Sequence, residues 1–144
     1  MTDEFRKEYH KAERRIAENS KQKEQIMLTI GLLDKQIHET TRCLTQQERE
    51  RAAAVFARPR TAQLDEDVAR LTDDVNCLRE CLKALEHSKA ARLTQMRELD
   101  GRLAGDRRVM ESIKGLEDSK IQQNKQADAK HENGPSTQLQ ILVL

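Results

Sequence analysis

Cys77 and Cys81 stand four residues apart, a spacing that puts two thiols on one face of a helix, where they could bind a metal, crosslink or contact a partner. That helical step lacks the Cys-x-x-Cys loop geometry of zinc sites, and no histidine lies near enough in sequence to complete a ligand set. With Cys43 the thiols number three, an odd count that suits no disulfide framework. The spacing predicts ordinary, partly exposed thiols in a reducing compartment, with lateral crosslinking or a partner contact as their functional use. His10, His38, His87 and His131 are scattered, and none stands beside a recognisable nucleophile. Neither a Gly-rich phosphate loop nor a carboxylate-centred motif occurs. No catalytic, cofactor-binding or metal-binding residue is expected, and an enzyme is the least supported class.

The elements that carry these residues are written in a heptad ladder. Steps of four and three from Phe5 land on Tyr9, Ala12, Ile16, Ile26, Ile30, Leu33, Ile37, Leu44 and Ala54. A second ladder starts at Leu64, passes through Val68, Leu71, Val75, Leu78, Leu82 and Leu85, and resumes at Met96, Leu99, Leu103, Met110 and Ile113. Apolar residues so spaced make a narrow seam along a helix, which asks for another helix rather than a globular core. Aromatics at 2% and no tryptophan leave too little bulky material for a thick core or for pocket walls. The 26 Lys and Arg nearly cancel the 25 Asp and Glu and are interspersed with them, which supplies interhelical ion pairs and lacks the basic footprint of a nucleic-acid binder. No stretch nears the roughly 20 apolar residues of a membrane span, and the acidic, polar start Met1-Thr2-Asp3-Glu4-Phe5 does not read as a secretory signal, so a cytoplasmic or cytoskeletal protein is expected, with no membrane partner.

The ladder breaks once, at Arg58-Pro59. Pro59 disfavours helix at the residue before it, and Ala54 and Leu64, both at d-type positions, stand one heptad plus three residues apart. A turn explains the phase slip and the proline together. The expected fold is therefore all-α, a long helical hairpin or coiled coil: a first helix over 1–57, a turn over 58–61, a second helix over 62–118 that weakens after Gly101 and Gly105, and a disordered tail over 119–144. Thr61 is placed to cap the second helix. The rival arrangement is a kinked parallel dimer, favoured by Val68 and Val75 at a-type and leucines at d-type positions.

Polar residues interrupt the seam: Asn19, Lys23, Thr40, Gln47 and Arg51 in the first ladder, Lys89 and Arg92 in the second. With the turn at residue 59, position 51 faces about 67, 23 about 95 and 19 about 99, so the gaps do not meet one another. They read as solvated interruptions, or as contacts for a further helix that Asn19, Lys23 and Arg92 would require. The tail ends in an abruptly apolar Gln140-Ile141-Leu142-Val143-Leu144, whose Leu142 and Leu144 could contact a partner, by strand addition and carboxylate capture or by packing on a rod.

At the hinge the chain resembles the tektins, rod proteins of ciliary and flagellar doublet microtubules. Their turn carries the nonapeptide Arg-Pro-Asn-Val-Glu-Leu-Cys-Arg-Asp. Here Arg58-Pro59 opens a comparable stretch, and Leu71, Asp74-Val75 and Leu78 follow at one residue short of the family spacing. Ile30-x-x-Leu33-x-x-x-Ile37 is similar to the run that precedes the tektin turn. Arg60-Thr61-Ala62-Gln63-Leu64-Asp65 replaces the body of the nonapeptide and its cysteine. The resemblance covers residues 16 to 118. It implies a structural microtubule inner protein or filament component of axonemal doublets, with other coiled-coil chains, self or tektin-like, and tubulin as partners. Bottom-up, the ladder supports the wider class of coiled-coil scaffold. The alternative from another class is an intracellular dimerising adaptor that recruits a partner through its tail.

Overall fold

Each helix starts at a threonine hydroxyl. In α1 (Asp3–Phe56), Thr2 Oγ1 accepts the Phe5 N–H at 3.2 Å, and Asp3 and Glu4 place negative charge in the first turn, where the helix dipole favours it. In α2 (Ala62–Val143), Thr61 Oγ1 accepts the Leu64 N–H at 3.1 Å. The structure, a computed structural model, describes the backbone of residues 2–143 and the side chains of residues 2–127. Two long helices pack against each other, and no strand occurs among the described residues.

Residues 57–61 connect the helices. Pro59 has no N–H to continue α1, and the carbonyls left open at the end of that helix are taken by two arginines. Arg60 Nη1 donates to Ala54 O at 2.6 Å and to Val55 O at 3.2 Å, while its Nη2 pairs with Asp65 in the first turn of α2. Arg58 Nη1 donates to Val55 O and Ala57 O. Two guanidinium groups thus close the last turn of one helix, and one of them ties it to the start of the next.

Contacts between the helices fall into two units. In the unit of residues 21–100, Leu71, Val75 and Leu99 are buried, Val75 to 1% exposure. Ile26, Ile30, Leu33, Ile37, Leu44 and Ala54 of α1, with Leu64, Val68, Leu78, Leu82, Leu85 and Met96 of α2, are half-buried. Half-burial is what a two-helix contact can deliver, because each seam residue keeps one flank in water. In the unit of residues 1–20 and 101–144, Ala12, Leu103 and Ile113 are buried, with Phe5, Tyr9, Ile16 and Met110 half-buried.

The expected weakening after Gly101 does not interrupt α2, which runs on through Gly101, Gly105 and Gly115. Each glycine costs about 1 kcal/mol relative to alanine, and burial of Leu103 and Ile113 in the same stretch offsets it. Among the residues whose side chains are described, Glu117 is the last half-buried one, one short of the boundary expected at 118. Residues 119–127 keep a helical backbone with every side chain exposed, and the rest of the tail, Leu142 and Leu144 included, lies outside the residues whose side chains are described.

Candidate interaction surface

Three polar residues on the seam, Lys23, Arg51 and Lys89, find partners across it, within the chain. In the unit of residues 21–100, Lys23 Nζ lies 2.7 Å from Asp100 Oδ1, Lys89 Nζ 2.6 Å from Asp34 Oδ1, and Arg51 Nε donates to Thr72 Oγ1 at 2.9 Å. Arg79 and Glu48 add an ion pair at 3.1 Å. These pairings correct two expectations. Lys23 needs no further helix, since an aspartate of α2 neutralises it.

The register is also displaced. Lys23 meets Asp100 rather than about 95, and Arg51 meets Thr72 rather than about 67, a shift of about five residues. Side chains lean toward the N-terminus of their own helix. In an antiparallel pair that lean points away from the turn on α1 and toward it on α2, so contacts join α1 residues to later α2 residues than backbone counting gives. Long cationic chains extend the effect. It appears whether the cation sits on α1, as with Lys23, or on α2, as with Lys89.

Arg92 is a third correction. It is exposed, its Nη1 donating to Gln95 Oε1 at 3.0 Å, and Leu93 occupies the half-buried place. A helix of 3.6 residues per turn lets the seam step from Lys89 by three or by four. Burying a leucine while a guanidinium stays in water decides for four. Asn19 and Thr40 are half-buried. Gln47 is half-buried with its Oε1 inaccessible and without a hydrogen-bond partner among the described residues.

In the unit containing residues 1–20, nothing in the heptad pattern singled out Asp106. It is 14% exposed and held by Arg15 Nε at 2.9 Å, the most covered carboxylate among the described ion pairs. Its signal was its place, three residues after Leu103 in the heptad, where an acid reads as a gap.

The residues with potential chemistry stay apart from any such arrangement. Cys43, Cys77 and Cys81 are exposed free thiols, and no group of three His, Cys, Asp or Glu residues that could hold a metal occurs among the described residues. His10 sits beside Glu13, its Nδ1 3.3 Å from the carboxylate, on an exposed face. His38 and His87 are exposed. No described helix is long and apolar enough to cross a membrane.

Among the charged residues that face outward, some large apolar side chains also remain exposed. In the unit of residues 21–100, Met27, Leu28 and Leu32 of α1 are exposed, Leu28 to 72% and Leu32 to 64%. Leu28 stands two residues from the seam positions Ile26 and Ile30, about 200° around the helix, so it lies nearly opposite the contact with α2. In the other unit Val109 and Leu116, one heptad apart, are exposed on α2. The ladder of strongest apolar residues obscured these weaker stripes in the sequence. No protein-family model, curated protein or solved structure matches this chain.

Proposed function

We propose that this chain is a structural coiled-coil protein, a microtubule inner protein or filament component of ciliary or flagellar axonemal doublets, as the resemblance of its hinge to the tektin turn implies. The observation that supports a structural role is the division of labour between faces. The seam is closed by the chain's own second helix, which also pairs its cationic members Lys23, Arg51 and Lys89, while Leu28 and Leu32 remain on the opposite side of α1. Large apolar side chains left in water on a rod's outer face fit contact with a neighbouring rod. Tektin-like chains and tubulin are the partners this reading names.

The support differs from what the sequence first suggested. Unsatisfied seam gaps do not provide it, because Lys23 pairs with Asp100 and Arg92 lies in solvent. Outward apolar residues provide it instead. A tagged chain expressed in ciliated cells should follow the axoneme, resist salt and detergent extraction, and remain with the tektin-containing remnants when doublets are dissolved. Release by mild detergent into a soluble pool, captured by a folded partner domain through the tail, would overturn the filament reading and establish the adaptor.

A further inference from the structure

The outward stripe of α1 carries a second heptad spacing: Lys21, Gln25, Leu28, Leu32, Lys35 and Glu39, all exposed and all in the unit of residues 21–100. We propose that this stripe is a self-complementary docking surface whose occupant is the same stripe of a second copy, laid antiparallel about a two-fold axis between Leu28 and Leu32. This deepens the filament reading by naming a contact between copies, and rests on it only for its biological setting.

The charges choose both the partner and the direction. Turning the stripe end for end places Leu28 on the partner copy's Leu32 and Leu32 on the partner copy's Leu28. It also sets Lys21 against the partner copy's Glu39 and Gln25 against the partner copy's Lys35, and the two-fold axis repeats each pair. An interface of this kind uses one patch on both subunits, so the patch must complement itself, and this one does. A parallel arrangement would set Lys21, Lys35 and Glu39 each against its own kind, which like-charge repulsion disfavours. Lys21, Lys35 and Glu39 hold no ion pair among the described residues, so none must be broken on docking.

Gly31 lies beside the leucines, and a Cβ built there meets nothing within 4 Å, so packing inside the chain does not call for its missing side chain. A glycine at that place lets a second helix approach closely. Met27 flanks the leucines, 54% exposed, and adds an adaptable apolar edge. Two leucines and a methionine from each copy make a contact of the small class, below about 1,200 Å² in total, whose association is weak and concentration-dependent. Repetition along a filament multiplies such a contact.

The test is sedimentation velocity on the full chain across a concentration series, with Cys43, Cys77 and Cys81 replaced by serine and helicity followed by circular dichroism. The expected result is a monomer–dimer equilibrium that Leu28→Glu or Leu32→Glu weakens by roughly tenfold or more, as loss of a central apolar anchor does, at unchanged helicity. Lys21→Glu and Glu39→Lys should each weaken it, and the two together should restore it. In an oxidised mixture of Lys21→Cys chains and Glu39→Cys chains, disulfides should join unlike chains. The proposal is overturned by a monomer at every concentration, by a dimer indifferent to both leucine substitutions, or by disulfides joining like chains. It is also overturned if Leu28→Cys reacts with a thiol probe faster only after removal of residues 141–144, which would put the chain's own tail on the stripe. A monomer that still pellets with doublets would remove this contact and leave the filament reading standing. A dimer that extracts freely would do the reverse.

Discussion

Gln47 is the seam residue whose chemistry suits its place least. Its Oε1 is shut off from water and finds no partner among the described residues, a situation that costs about 1–3 kcal/mol for a buried acceptor. Gln47→Leu should therefore raise the free energy of unfolding, by about 1 kcal/mol or more in a urea titration, and a loss of stability would show that the amide is bonded after all. Val75, the largest fully buried side chain among the described residues, works in the other direction: Val75→Ala should cost about 2 kcal/mol, whereas Cys77→Ser on the exposed face should stay within about 0.5 kcal/mol. Equal effects would mean that the helices meet along a different face. At this scale the sequence was informative wherever a strongly apolar residue stood on the heptad ladder. It misled where a neighbour could rotate into place, as Leu93 does for Arg92, because helical spacing tolerates either and the burial free energy chooses.

The helices show which local signals determine an element. Thr61 could be read as a cap because a hydroxyl there can accept an N–H three residues on, and it accepts that of Leu64 at 3.1 Å. Thr61→Ala should destabilise by about 1 kcal/mol while Thr61→Asp, which keeps an acceptor and adds charge favourable to the dipole, should retain most of the stability in the same thermal melts. Failure of aspartate to rescue would mean the hydroxyl acts elsewhere. The arginines that close α1 were not legible, since Arg60 reaches back to Ala54 across the turn by a path no spacing rule describes. Nor was the register. Heptad positions say which faces meet, but the lean of side chains along antiparallel helices decides which residues touch, and it moved Lys23 from an expected neighbour near 95 to Asp100.

For the molecule as a whole, the account rests on the narrow seam being satisfied by the chain's own second helix in an antiparallel hairpin. The proline and phase slip at Pro59 made the turn legible, while the outer stripe through Leu28 and Leu32 was not, because a few apolar residues on a charged face look like scatter until the opposite face is known to be covered. Apart from Arg15–Asp106, whose carboxylate is largely covered, the ion pairs across the seam are partly exposed and worth at most about 1 kcal/mol each, so high salt should leave the hairpin folded and lower its stability only slightly. The most direct measurement of the central claim is the distance between spin labels at residues 34 and 89, attached through Asp34→Cys and Lys89→Cys in a chain free of its native cysteines and diluted with unlabelled protein. The side chains native to these sites meet at 2.6 Å, and helices packed side by side lie about 8–10 Å apart, so a short distance within one chain is expected. A distance approaching the roughly 80 Å that a continuous helix would put between these residues would contradict the hairpin and establish an extended rod.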